Sequence, residues 1–259
     1  MLLTIDAGNT NTVFAVFDAQ GYKRGEWRAS TTKERTADEY SVWLTQLFGI
    51  EGLKREDIHH AVIASVVPAG LFALKTLCRK AFGCSPLVVG EKGVELGVNA
   101  LVDHPEEVGA DRLVNALAAH LRFKEPVIVI DFGTATTFDV VDGQGNYLGG
   151  AIAPGVNLSL EALHMAAAQL PRVAVDNPGP VIGKSTVPAM KSGVFWGYIG
   201  LVEGLVARIK TEFGQPMTVL ATGGLAPLFT QGTEVIDHLD PDLTQRGLLE
   251  VYRRNKQKG

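Results

Sequence analysis

Two copies of one pattern occur in the chain, each an apolar strand ending in Asp, then Gly and small polar residues, then a second apolar strand. The copies read "LLTIDAGNTNTVFAVFD" and "VIVIDFGTATTFDVVD", and a constant offset of 125 residues aligns Asp6 with Asp131 and Thr12 with Thr137. Ordinary turn formers can produce such a likeness by chance, but the shared Ile-Asp-x-Gly at a constant offset favours a duplication. The pattern therefore predicts two similar α/β halves facing each other across a cleft, residues 1–115 and 116–259.

Apolar periodicity predicts similar elements in the two halves. The first half reads as a three-stranded meander followed by helix, strand, helix and strand, with Thr36 as a helix N-cap and Gly83 as a helix stop. A further helix begins between Val108 and Asp111. The second half reads as another meander, a strand in 217–224, and helices over 157–170, 188–213 and 243–254. One apolar stripe on the long helix fits a buried face or a dimer contact: Phe195, Tyr198, Ile199, Val202 and Leu205.

Composition argues against several classes of function. A formal net charge of −4 and a pI of about 5.9 give little electrostatic support for nucleic-acid binding. The two cysteines, Cys78 and Cys84, predict reduced thiols rather than a disulfide framework. Asp6 interrupts any apolar leader at the N-terminus, and no run of eighteen apolar residues follows. We therefore expect a cytoplasmic protein without nucleic-acid or membrane partners.

The two polar turns suggest phosphate chemistry. Backbone N–H groups and hydroxyls in such a turn can bind phosphate oxygens, while the Asp faces a cation. Taken alone, Asp6 is more simply an Asx-turn residue, but its repetition at Asp131 favours a nucleotide site. The two turns together would then clamp a polyphosphate.

Three other motifs are weaker when each is taken alone. The "ATGG" motif, residues 221–224, would let a flat ligand approach the backbone, although Gly pairs after strands often serve only as turns. The "GADR" motif, residues 109–112, places Asp111 where an acidic residue ordinarily stabilises a helix N-terminus. The "GPVIGKST" segment resembles a P-loop, but its glycines enclose three residues rather than four. We therefore do not expect it to bind phosphate in that way.

Together the motifs resemble one family. "DAGNTNT", "GADR", "DFGTATT", "GGAIAPG", "GKST" and "ATGG" follow one another along nearly the whole chain, and this set is similar to type III pantothenate kinase. The resemblance implies the duplicated ribonuclease H-like fold that acetate and sugar kinases share with actin. It also implies ATP-dependent phosphorylation of pantothenate to 4′-phosphopantothenate, the first step of coenzyme A biosynthesis, by a homodimer.

The same resemblance implies the site residues. ATP would be bound by Asp6, Ala7, Gly8, Asn9, Thr10, Asn11, Thr12, Val13, Thr134, Gly223 and Gly224. Pantothenate would be bound by Gly109, Ala110, Asp111, Arg112 and Thr186, with Asp111 as the general base and Thr186 acting across a homodimer interface. Asp131 would bind a monovalent cation, K⁺ or NH₄⁺, and Asp6 would reach Mg²⁺ through the phosphates of ATP.

One position departs from the family pattern. The family commonly carries a substrate-contacting tyrosine just before "DHPEEVGADR", and here that position is Val102. This substitution leaves open a kinase of the same fold that acts on another small alcohol, such as a sugar. A non-catalytic nucleotide-binding regulator is a further alternative, although Asp6, Asp111 and Asp131 argue against it because a binder needs no base.

Overall fold

The computed structural model describes residues 1–166 and 171–256. The chain divides into two compact units, each built on a five-stranded sheet. The first unit contains Met1–Ala118 and the C-terminal segment from Leu243, and the second contains Ala119–Asp242. The predicted halves, 1–115 and 116–259, differ from these units because the C-terminal segment packs with the first unit.

The N-terminal half of the chain follows the predicted order of elements. These elements are β1 Leu2–Ala7, β2 Asn11–Phe17, β3 Lys23–Ser30, α1 Ala37–Ile50, β4 His60–Ser65, α2 Pro68–Phe82, β5 Leu87–Val88 and α3 Ala110–Phe123. Two short 3-10 helices, Arg55–Asp57 and Pro105–Glu107, lie in the connections. Thr36 caps α1 in a capping box with Glu39, and Gly83 ends α2 in the left-handed conformation, so both predicted helix boundaries are confirmed.

The C-terminal half begins with the second meander. Its elements are β6 Val127–Phe132, β7 Ala135–Val141, β8 Tyr147–Pro154, α4 Val156–Ala166, α5 Thr186–Phe213, β9 Thr218–Thr222, α6 Ala226–Phe229, β10 His238–Leu239 and α7 Leu243–Lys256. The predicted helix over 157–170 is observed up to Ala166, and residues 167–170 lie outside the described part of the chain. The sequence did not predict the short β10.

Helices cover both faces of the first sheet, whose strand order is β3-β2-β1-β4-β5. One face packs against α1 and α2, with Ile5 and Phe14 among its fully buried side chains. The other face packs against α7, where the buried Thr4 hydroxyl donates a hydrogen bond of 2.5 Å to Gln245 Oε1. Strand β1 is therefore buried on both sides, which its nearly continuous apolar sequence fits.

The second sheet has the order β10-β9-β6-β7-β8 and packs one face against α5. The apolar stripe of α5 lies in this core, since four of its residues are buried and the fifth is partly buried against them: Phe195, Tyr198, Ile199, Val202 and Leu205. Of the two interpretations of this stripe, a buried face or a dimer contact, the structure therefore supports the buried face.

The duplication is visible strand by strand, but its offset changes within the first turn. Strands β1 and β6 differ by 125 residues and share one burial pattern, whereas β2 and β7, like β3 and β8, differ by 124. Asp6 pairs with Val13 across its hairpin, while Asp131 pairs with Thr137. The predicted alignment of Thr12 with Thr137 is therefore wrong by one residue, because the first turn is one residue longer than the second.

Two further predictions concern thiols and membranes. Cys78 and Cys84 are both free, and burial raises the pKa of each thiol, which makes them poor nucleophiles. Within the described residues, no helix combines the length and apolar character that crossing a membrane requires.

Candidate active site

The first polar turn lies where β1 ends, at the carboxyl edge of the parallel strands β1 and β4. The Gly8 N–H donates to the Asn11 carbonyl at 3.0 Å and closes the turn. Asn9 and Thr10 at its tip are exposed, whereas Thr12 is buried. The turn therefore presents backbone and small polar side chains at the edge of the sheet where open α/β folds bind ligands.

The "GADR" motif reaches the same edge of the first sheet through Val66. The Val66 N–H donates to the Ala7 carbonyl at 3.1 Å, directly before the turn. A methyl group built on Gly109 would lie 3.4 Å from Val66 Cγ1 and 2.5 Å from Asp111 Oδ1. Val66 therefore links the first polar turn to the segment that carries Asp111, and this occurs within one compact unit.

Asp111 lies in the first turn of α3 and is partly buried. Its Oδ1 accepts the Arg112 N–H at 2.8 Å, so one carboxylate oxygen is held by the backbone. The N-terminal end of a helix dipole favours negative charge, which stabilises the ionised carboxylate. A methyl group built on Gly109 would lie 2.5 Å from this carboxylate oxygen, so a larger residue there would require the Asp111 side chain to shift.

The second polar turn lies at the equivalent edge of the second sheet. The Gly133 N–H donates to the Ala135 carbonyl at 3.0 Å, and both Gly133 and Thr134 are exposed. Gly155 packs against the inner side of this turn, since a methyl group built on it would lie 2.1 Å from the Thr134 carbonyl oxygen. Gly155, the residue that follows β8, is therefore in close contact with the backbone of the second polar turn.

The "ATGG" motif meets the second turn at Asp131. Parallel pairing places Asp131 beside Thr222, and Gly223 follows with a φ of +93°. A methyl group built on Gly223 would lie 2.5 Å from Asp131 Oδ1 and 2.7 Å from the Phe132 carbonyl oxygen. Within the second unit, Asp131, the second turn and Gly223 thus lie close together.

Thr186 belongs to a different unit from the other predicted substrate residues. It is the first residue of α5, it is exposed, and it belongs to the second unit, whereas "GADR" belongs to the first. The preceding "GKST" segment leads directly into α5, and no strand occurs across residues 171–185, all of which are described. This supports the rejection of a P-loop, which needs a strand before its glycines.

Two residues that hold the polar turns were missed by the sequence reasoning, Thr31 and Gly155. Gly155 belongs to a quoted motif but received no role, and Thr31 belongs to none. The repeated turns "DAQG" and "DGQG", Asp18–Gly21 and Asp142–Gly145, were the available signal, because they differ by 124 residues and would have aligned Thr31 with Gly155.

A cavity of about 270 Å³ lies elsewhere, on the second unit beside α4. None of the residues that line it is a predicted site residue: Asn157, Leu160, Glu161, His164, Arg172 and Val173.

Comparisons with known proteins decide the family. The family model described as type III pantothenate kinase matches residues 2–208. The chain belongs to the type III pantothenate kinase family. A type III pantothenate kinase of Paramagnetospirillum magneticum is 71% identical over 255 residues, which cover 98% of each chain. The type III pantothenate kinase of Rhodospirillum rubrum is 65% identical over 256 residues, 99% of each chain.

A solved structure agrees on the fold. A putative 2-dehydro-3-deoxygalactonokinase from Sinorhizobium meliloti matches 98% of this chain and 96% of its own with a TM-score of 0.62. At 13% identity this likeness shows the fold alone. The predicted family and the duplicated ribonuclease H-like fold are therefore confirmed, and with them the enzyme class, a kinase acting on an alcohol group.

A member of the type III pantothenate kinase family needs a site that positions phosphates and one hydroxyl, because phosphoryl transfer depends mainly on alignment and charge neutralisation. The first unit brings a polar turn and an aspartate to one sheet edge, and the second unit brings a polar turn, an aspartate and a glycine pair to the equivalent edge. These arrangements supply the kinds of group that such a site needs, namely hydrogen-bond donors and carboxylates.

Proposed function

We propose that this kinase transfers the γ-phosphoryl group of ATP to the primary hydroxyl of pantothenate and so forms 4′-phosphopantothenate, the first step of coenzyme A biosynthesis. The observation that carries the proposal is the link through Val66 between the first polar turn and the segment that holds Asp111. This link places the first polar turn, which is of a kind that can bind phosphate, and the Asp111 carboxylate at the same edge of one sheet.

Asp111 is assigned the role of general base toward the pantothenate hydroxyl. An aspartate has an ordinary pKa of about 3.9 and is a weak base at neutral pH. It therefore orients the hydroxyl by accepting its hydrogen bond and takes the proton late, as the new O–P bond forms. Gly109, Ala110 and Arg112 would line the same site, and the close approach of Gly109 to Asp111 supports a fixed orientation of this carboxylate.

The polar turns are assigned to ATP. Asp6 to Val13 would bind phosphate oxygens through backbone N–H groups and small polar side chains, with Asn9 and Thr10 exposed at the tip. Thr134 would do the same from the second turn. Gly223 and Gly224 would lie near the adenosine, where the absence of side chains leaves the backbone open to a flat ring.

The chemistry of Asp131 supports the assignment of a monovalent cation to it. Its Oδ1 and the Phe132 carbonyl oxygen, together with the Phe132 N–H, all lie close to the Gly223 backbone. Carboxylate and carbonyl oxygens are ligands that hard cations prefer. We assign Asp131 to K⁺ or NH₄⁺ and Asp6 to Mg²⁺ through the ATP phosphates. When bound, these cations would neutralise phosphate charge that the two carboxylates would otherwise repel.

Homodimerisation is supported by exposed apolar side chains on the second unit. They lie on α4, in the segment that precedes α5 and in the first turn of α5, and solvent-exposed apolar groups of this kind mark interaction surfaces: Leu158, Leu163, Met165, Val181, Ile182 and Val187. Thr186 lies among the last of them, which suits its assignment to a pantothenate site completed by the partner subunit. Analytical ultracentrifugation tests this, with an Ile182→Lys variant expected to sediment as a monomer. We place the enzyme in the cytoplasm, where ATP is available.

One coupled assay of ADP release tests the reaction. Wild-type protein with ATP, Mg²⁺ and pantothenate should turn over with K⁺ and lose activity without a monovalent cation. Asp111→Asn should lower kcat by about 10²- to 10⁴-fold, the range for loss of a general base. Asp103→Asn is the matched control, since Asp103 is an exposed aspartate in the segment that precedes α3. Full turnover by Asp111→Asn would remove the role of Asp111.

Val102 gives a specific reason to include other acceptors in that assay. Without the tyrosine that relatives of this family commonly carry, a small alcohol such as a sugar could replace pantothenate as substrate. Turnover of another alcohol in preference to pantothenate would support a kinase of the same fold with a different substrate. Nucleotide binding without turnover of any acceptor would support a regulator.

A further inference from the structure

Thr31 makes three hydrogen bonds to the first polar turn, although it lies outside that turn. It directly follows β3, and its N–H donates to the Thr10 carbonyl at 2.9 Å. Its hydroxyl donates to the Gly8 carbonyl at 2.7 Å and lies 2.9 Å from the Thr12 hydroxyl. Because the single Thr31 hydroxyl proton points at Gly8, the Thr12 hydroxyl is the donor between the two threonines. One side chain thus connects both ends of the turn.

The equivalent position of the second unit contacts the equivalent carbonyl. Gly155 lies 124 residues after Thr31 and directly follows β8, the counterpart of β3. A methyl group built on Gly155 would lie 2.7 Å from the Gly133 carbonyl oxygen, and Gly133 is the counterpart of Gly8. In both units, therefore, the residue after the third strand lies against the glycine carbonyl of the polar turn. In the first unit the contact is made by the Thr31 hydroxyl, and in the second unit by the backbone of Gly155.

From these contacts we infer that Thr31 is a positioning residue for ATP: its hydroxyl holds the first polar turn in the shape that binds the phosphates. The inference rests on the proposed function, which assigns this turn to ATP. Thr31 itself touches neither phosphate nor pantothenate in this scheme. It acts through Gly8 and Thr12, and its hydroxyl is therefore the group to remove.

Removal of the hydroxyl leaves two groups of the turn without their partner. The Gly8 carbonyl loses its donor, and the hydroxyl of Thr12, a residue that is only 1% exposed, loses its acceptor. One neutral hydrogen bond is worth about 2- to 12-fold in an equilibrium constant. The two factors multiply, so we expect ATP to bind about 4- to 140-fold more weakly.

The variants Thr31→Val and Thr31→Ser separate the hydroxyl from the rest of the side chain, and Thr32→Val is the matched control. Thr32 is the exposed neighbour and undergoes the same chemical change. Calorimetry with Mg²⁺ and ATP gives the Kd, and the coupled assay gives kcat and both KM values. Thr31→Val should raise the Kd and KM for ATP about 4- to 140-fold, with kcat and the KM for pantothenate within twofold of wild type. Thr31→Ser and Thr32→Val should stay within twofold throughout.

Hydrogen exchange of residues 8–13 in the absence of ATP gives a readout independent of catalysis. Thr31→Val should exchange faster there than wild type, and Thr31→Ala serves the same purpose if the valine variant does not fold. An unchanged Kd for ATP, or an equal rise in the KM for pantothenate, would overturn the inference. A wild-type protein that binds ATP but does not phosphorylate pantothenate would instead reject the proposed function, while the comparison of Kd values still decides the role of Thr31.

Discussion

Replacement of Gly155 by alanine tests how closely the second polar turn must be held. Gly155 is buried and follows β8 directly, with its Cα facing the backbone of the turn. The added methyl group would lie 2.1 Å from the Thr134 carbonyl oxygen and 2.7 Å from that of Gly133. Both distances are far inside van der Waals contact, and the obstructing atoms are backbone, which cannot rotate away. The turn or the segment around Gly155 must therefore move.

The size of the effect follows from the overlap. Ordinary contact for such a methyl group begins near 3.4 Å, so the Thr134 carbonyl must move by about 1 Å. A misplacement of about 1 Å in a group that positions a substrate costs on the order of 10²-fold in rate. The same overpacking lowers the free energy of unfolding by about 1–3 kcal/mol. We expect kcat/KM for ATP to fall about 100-fold in a protein that still folds.

The assay is the coupled measurement of ADP release, combined with thermal unfolding followed by circular dichroism. Gly49→Ala is the matched control. Gly49 lies in the last turn of α1, and a methyl group built on it meets no atom within 4 Å. This control should retain full activity and equal or greater stability, since alanine favours helix. A folded Gly155→Ala variant with kcat/KM within threefold of wild type would refute the argument that this close contact fixes the turn.

Three further substitutions test the fold. Thr36→Ala removes the capping box with Glu39 and should lower the free energy of unfolding by about 1 kcal/mol in urea titration; an unchanged midpoint would contradict the capping role. Lys124 adopts a φ of +53°, a left-handed conformation that glycine adopts without strain. Lys124→Gly should therefore raise the free energy of unfolding by about 0.5–1 kcal/mol. A lower free energy of unfolding would show that contacts of the lysine side chain outweigh the backbone strain. Desolvation, and then the charge of Lys256, lower the pKa of His60, so the folded state binds fewer protons than the unfolded chain. Stability should therefore fall as the pH drops from about 7 to about 5, and His60→Gln should flatten this dependence; an identical slope in both proteins would rule out His60 as its source.

Much of the fold could be predicted because local patterns and tertiary structure agree. The apolar runs of β1 and β6, the cap at Thr36 and the stop at Gly83 each depend on a few adjacent residues, and the structure contains all of them. The contact of Asp131 with Gly223 follows from the parallel pairing of β6 with β9, two strands that are not consecutive in the chain, and the sequence analysis did not predict it.

The rest could not be predicted because it depends on contacts distant in the sequence or on one-residue changes. A single extra residue in the first turn moves the offset from 125 to 124, so an alignment at constant offset hides the correspondence of Thr31 with Gly155. The short β10 has two residues and too little pattern to detect. The placement of α7 with the first unit depends on contacts such as Thr4 with Gln245, which are 241 residues apart.

The packing of α7 on the first sheet has a consequence for synthesis of the protein. The chain leaves the first unit after Ala118, forms the whole second unit as one continuous segment, and returns at Leu243. A nascent chain emerging from the ribosome can therefore complete the second unit while one apolar face of the first sheet is still bare. Only when α7 has been translated can that face be covered by it, so the unit that is made first is finished last.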